Sequence, residues 1–156
     1  HVILGYNYRM TEIQAAIGRV QLKKFNKISD KRKKIALKYA KILVNIPGIS
    51  LPYESNNTDR SWFVYYIITK DNILRELIVN GLAKKNIQSH RYFPSMHLFP
   101  HYRCLGYKRG DFPVSEKISD TLVALPFYTE ISDADMMKVA NVVREISIKY
   151  SKKNER

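Results

Sequence analysis

The stretch WFVYYIIT, residues 62–69, decides the reading of this chain. Aromatic and β-branched residues fill it without a break, and that composition predicts a buried strand. A polar loop precedes it at residues 54–60, and before that Ile49-Ser50-Leu51 predicts a short strand. Behind it, residues 72–85 carry Ile73, Leu74, Leu77, Ile78 and Leu82 at helical spacing, which predicts an amphipathic helix. Residues 87–93 predict another strand, ended by Pro94. Residues 96–111 read as irregular, with Pro100, Gly106 and Gly110. A helix is expected from Pro113 to about Leu122, with proline in its first turn. Val123-Ala124-Leu125 then predicts a short strand before Pro126. Ser132 is placed to cap a last helix with Asp133 and Asp135 in its first turn and Met136, Val139, Ala140, Val143 and Ile146 on its apolar face. Helices and strands in this order predict an α+β layer, with helices on a small sheet.

Ahead of this unit lies a longer pattern. Thr11 and Gln14 form a T-x-x-Q capping box, so a helix starts there. Ile13, Ala16, Ile17 and Val20 set its period, Ile28, Ile35, Tyr39 and Ile42 resume it, and Pro47-Gly48 stops it. Unbroken from residue 11 to residue 45, it spans on the order of 50 Å. Either it kinks near residues 26–30, or its front half packs on something outside this chain. The opening at His1, followed by Val2-Ile3-Leu4, reads as a cut inside a longer polypeptide. The expected organisation is a lead segment and long helix over residues 1–45 and a small α+β domain over residues 46–156.

With 156 residues, 45% of them hydrophobic, the chain suits one ordinary domain. No apolar run reaches the roughly 18 residues of a membrane span. One cysteine, Cys104, cannot form an internal disulfide, so a reducing cytoplasm is expected. The formal net charge of +13 raises the prior for an anionic partner, yet it lies in helix and tail runs that usually face solvent.

Two segments carry candidate chemistry. Asn7 and Arg9 stand just before a helix N-terminus, where free N–H groups and the dipole favour an anion. From the residues alone, an ordinary capped loop with a solvent-facing Arg9 is the favoured reading. The second segment, residues 90–102, holds His90, His97 and His101. Acid–base work and a loop packed by aromatics both remain open there. A metal site is not expected, because Pro100 separates the last two histidines and no carboxylate is near.

Together these segments resemble the DegT/DnrJ/EryC1/StrS family of sugar aminotransferases. The resemblance is carried by GYNYRMTEIQAAIGRVQLKK (residues 5–24), SWFVYYI (61–67), HRYFPSMHLFPHY (90–102), GDFPVSEKIS (110–119) and ALPFYTEIS (124–132). They occur in family order and cover nearly the whole chain. The resemblance implies the small C-terminal domain of an aspartate-aminotransferase-like fold, preceded by a long linking helix. It implies pyridoxal phosphate as cofactor, held mainly by a large domain upstream that also carries the Schiff-base lysine; no lysine of this chain is assigned that role. Asn7 matches a residue reaching the cofactor phosphate across a homodimer. Arg9, Tyr92 and His97 match positions that border the sugar-nucleotide site. The substrates implied are an amino-acid donor, glutamate, and a keto-sugar nucleotide destined for polysaccharide or antibiotic sugars; neither nucleic acid nor membrane is expected as a partner. Two other readings stay open: a same-family dehydratase, whose distinguishing residue lies upstream, and a basic nucleic-acid-binding module suggested only by the charge.

Overall fold

The computed structural model describes residues 5–6, 8–53, 55 and 57–154. Helix α1 runs over Glu12–Leu43, 32 residues without interruption. Its start is set by the expected capping box: the Gln14 amide donates to Thr11 Oγ1 at 3.3 Å, and the Thr11 amide donates to Gln14 Oε1 at 2.9 Å. The helix continues without a break through residues 26–30. Only the rear of the helix is buried, at Ile35, Ala36, Tyr39 and Leu43. The front turns are exposed among the described residues, with Ile13 74% and Ile17 59% exposed. Beyond the helix, Asn45 and Gly48 take positive φ and turn the chain into the sheet.

Three strands, β1 (Ile49–Ser50), β2 (Tyr65–Thr69) and β3 (Leu122–Leu125), form one antiparallel sheet in the order β1-β2-β3. Tyr65 faces Leu125 and Ile67 faces Val123 across the central pair. Residues 62–64, expected to belong to the strand, lie outside β2. Trp62 turns inward there instead, with its ring 5.5 Å from Tyr65, and Tyr65 in turn stacks on Tyr39 at 4.9 Å. This ladder of rings joins α1 to the sheet, and the Tyr39 hydroxyl donates to the Pro126 carbonyl at 2.9 Å.

Helices α2 (Asn72–Lys84) and α5 (Asp133–Asn154) pack together and cover the sheet with the rear of α1. Gly81 marks their closest approach: a Cβ there would stand 2.1 Å from Ile146 Cδ1. Two apolar positions of α2 differ from expectation. Ile73 and Leu77 are exposed while Val79 is buried, so the packed stripe is Leu74, Ile78, Val79 and Leu82. Asp71 caps the helix by accepting the Leu74 amide at 2.8 Å, and Ser132 caps α5 by accepting the Asp135 amide at 3.0 Å.

Residues 87–93 do not form the expected strand. Only His90 pairs, exchanging both backbone hydrogen bonds with Ala124 on the free edge of β3. That edge is four residues long and ends at Pro126, which has no N–H to extend a ladder. The irregular segment that follows is partly helical: a 3-10 turn at Met96–Leu98 and helix α3 at Pro100–Arg103. Helix α4 occupies Pro113–Thr121, close to its expected bounds.

Candidate functional site

A cleft of about 700 Å³ opens where the end of β3 meets residues 86–93, the loop after Leu125 and the first turns of α5. Phe63, Tyr92, Phe93, Phe127, Tyr128 and Ile131 make its apolar wall. His90, Asp135 and Lys138 add polar groups. One side of the wall is a run of rings. His90 stacks on Tyr92 at 5.2 Å, Tyr92 on Phe93 at 4.9 Å, and Phe93 lies 6.2 Å from Phe63. The peptide between Tyr92 and Phe93 is cis. Aromatic surface of this kind offers a large apolar area to a planar or apolar group.

The backbone under this wall is held from two directions. His90 bonds to Ala124 on β3. The neighbouring Arg91 makes a two-pronged contact with Glu76 on α2, its Nε donating to Oε1 at 2.9 Å. The hydrogen bond from Arg91 holds the Glu76 carboxyl below its ordinary range, against burial and with help from Arg75. At the far rim, Asp135 accepts from Ser132 and from Lys138, and these contacts lower its pKa in that order. Lys138 is therefore an exposed, ion-paired lysine.

Of the residues singled out in the sequence, Tyr92 lines the cleft. Arg9 is exposed on the lead segment. Asn7 lies outside the described residues. His97 is buried and is not among the cleft-lining residues; its Nε2 stands 2.9 Å from Glu116 Oε1 on α4. Sequence reasoning missed Glu116. The only signal was a cluster of histidines needing partners, and a carboxylate 19 residues away has no helical or strand spacing to betray it. Among the described residues, no group of three His, Cys, Asp or Glu is placed to hold a metal ion. No helix is long and apolar enough to cross a membrane, again among the described residues.

The fit of pyridoxal phosphate can be judged from these side chains. A lysine that bonds covalently to the cofactor needs a setting that lowers its pKa, such as an apolar pocket or a neighbouring cation. Lys138, the lysine at the cleft, has neither: its side chain is 71% exposed and its partner is an anion. Among the described residues that line the cleft, none supplies the covalent anchor.

Comparison with known proteins gives a consistent picture. The sequence profile of the DegT/DnrJ/EryC1/StrS aminotransferase family matches residues 1–144. The chain is 32% identical over 143 residues to the dTDP-4-amino-4,6-dideoxy-D-glucose transaminase of Escherichia coli, covering 89% of this chain and 38% of that protein. It is 31% identical over 147 residues to the spore coat polysaccharide biosynthesis protein SpsC of Bacillus subtilis, covering 91% and 38%. Among solved structures, Streptomyces venezuelae DesV in complex with a ketimine intermediate superposes with a TM-score of 0.85 at 27% identity, covering 94% of this chain and 39% of that one. The chain thus spans under two-fifths of the length of these relatives.

Proposed function

The chain belongs to the DegT/DnrJ/EryC1/StrS aminotransferase family, and from that premise we propose that it is the C-terminal portion of a pyridoxal-phosphate-dependent enzyme that moves an amino group from an amino acid, glutamate, to a keto-sugar nucleotide. The observation that carries this reading is the family match over 144 of 156 residues. Relatives named as sugar transaminases and a close structural superposition support it. When bound, pyridoxal phosphate supplies the electron sink for amino transfer.

In this reading the chain's own share is recognition and shape. The aromatic wall at Tyr92 and Phe93 excludes water from one side of the sugar nucleotide. Arg9 adds a planar cation that can grip a phosphate. Asn7 donates to the cofactor phosphate across a homodimer, and His97 belongs to the loop bordering the substrate. A cytoplasmic setting agrees with the exposed, unbridged Cys104.

The test is an assay of the longer parent polypeptide with pyridoxal phosphate, glutamate and a keto-sugar nucleotide, read by mass. An amino-sugar product with glutamate's nitrogen is expected. Loss of a sugar hydroxyl with no nitrogen gained would sink the aminotransferase reading and point to a dehydratase. In the same polypeptide, Asn7→Ala is expected to weaken cofactor retention by roughly 10- to 150-fold, the worth of one charge-assisted hydrogen bond. Unchanged retention would remove Asn7 from the phosphate site.

A further inference from the structure

Glu116 sits in the first turn of α4 and is 7% exposed. One of its oxygens, Oε1, accepts from His97 Nε2 at 2.9 Å, from the Gly110 amide at 2.8 Å and from the Phe112 amide at 3.5 Å. An ionised carboxylate only accepts, so the imidazole donates from Nε2. The neighbouring Ser115 hydroxyl donates to Ser95 Oγ at 3.4 Å. One turn of α4 therefore grips both ends of segment 95–112: Ser95 and His97 at one end, Gly110 and Phe112 at the other. The Phe112 ring closes against the edge of His97 at 4.9 Å.

Tyr92 and Phe93 lie between this grip and the earlier one. Upstream, His90 and Arg91 are tied to β3 and α2. Downstream, Ser95 and His97 are tied to α4. One residue, Pro94, separates Phe93 from Ser95, so slack at α4 reaches the aromatic wall directly. We propose that Glu116 is a positioning residue of the cleft: by holding His97, Gly110 and Phe112 on α4, it sets the placement of the Tyr92–Phe93 wall. That the wall belongs to a sugar-nucleotide site rests on the function proposed above; the positioning itself does not.

Electrostatics support the geometry. Burial by itself raises the Glu116 pKa, but the Gly110 amide, His97 and the Phe112 amide together outweigh it and the net direction is down. The charged or titratable groups facing the carboxylate are His97 and Arg109, whose Nη1 is 3.9 Å from Oε2 and which also pairs with Asp120. A depressed carboxyl adds stability above its unfolded value, about 4.3, and loses it as pH falls through the folded value. The grip is thus closed near neutrality and opens in acid.

The test compares wild type with Glu116→Ala and Glu116→Gln in this chain, with the single Trp62 reporting the fold. Amide exchange at Gly110 and Phe112, corrected for its intrinsic pH dependence, and the Tyr92 ring resonances are read by NMR. Binding of dTDP-glucose is measured in parallel. Glu116→Ala is expected to speed exchange at Gly110 by roughly tenfold or more, to shift the Tyr92 resonances and to weaken dTDP-glucose binding. Glu116→Gln keeps the volume and a neutral acceptor, and serves if the alanine variant does not fold. It is expected to abolish the acid dependence of Gly110 exchange that the wild type shows. Unchanged Gly110 exchange or unchanged Tyr92 resonances in a folded variant overturns the proposal. Displaced resonances with unaltered dTDP-glucose affinity leave the positioning intact and overturn the link between the wall and substrate binding. No dTDP-glucose binding to the wild type, with the resonance changes present, overturns the substrate reading of the cleft and leaves the positioning intact.

Discussion

Tyr39 illustrates how one side chain joins parts of this fold that are distant in sequence. It is fully buried on α1, stacks on Tyr65 of β2 and donates to the carbonyl of Pro126 just after β3. Burial, then the neighbouring Tyr128, Tyr65 and Asp135, raise its pKa. Stability tied to the neutral phenol is complete below the unfolded value of about 10 and is lost as pH rises beyond it. Tyr39→Phe keeps the ring stack but leaves the Pro126 carbonyl unpaired. The expected cost is about 1–3 kcal/mol, seen as a lower urea midpoint at unchanged slope when Trp62 fluorescence is followed. An unchanged midpoint would mean that water replaces the hydroxyl. The sequence marks Tyr39 as apolar-face residue of a helix, but its partner 87 residues away is a tertiary fact.

Helix α1 changes character along its length. Its rear is anchored by the core, while Ile13, Ile17 and Val20 at the front are exposed. An isolated helix of this composition is marginal in water, because helical stability comes mostly from packing an apolar face. The front half is therefore expected either to fray or to pair with a second copy through residues 13–20. Amide exchange and sedimentation decide it. Residues 65–69 of β2 should stay protected for far longer, and Val20→Glu should reduce any self-association without lowering the unfolding midpoint. A monomer with protected amides at residues 13–20 would refute this account. The apolar stripe was legible as a pattern. That no described residue covers it was not, since periodicity reports which face is apolar and not what it meets.

At the scale of the whole molecule, the lysine at the cleft, Lys138, is exposed and paired with Asp135, a setting that does not suit a covalent anchor for pyridoxal phosphate. The chain by itself is expected to form no stoichiometric, lysine-dependent absorbance band with pyridoxal phosphate, and to transfer no amino group from glutamate to a keto acceptor. A titration followed in the near ultraviolet and visible range checks this. A band abolished by replacing one lysine would overturn it and identify that lysine as desolvated. Adding salt should matter little to the fold, since the ion pairs Lys31–Glu130, Lys33–Asp59 and Lys38–Asp133 are solvent-exposed and individually weak.

Local chemistry left strong marks in the sequence. The Thr11–Gln14 capping box, the Ser132 cap, the stop at Pro47-Gly48 and the strands at 65–69 and 122–125 depend on neighbouring residues, and each is readable within a few positions. Five ordered segments were enough to indicate the family, now matched over residues 1–144. Where sequence reasoning erred, the outcome depended on distant partners. Residues 62–64 leave the strand pattern because Trp62 is drawn into the ring ladder with Tyr65 and Tyr39. Residues 87–93 stop at a single bridge because the edge of β3 ends at Pro126. Tyr92 reaches the cleft while His97 turns to Glu116, although both lie in one loop. Hydrogen bonds within a turn are set by spacing along the chain; which carboxylate meets which imidazole is set by how helices and sheet close around them.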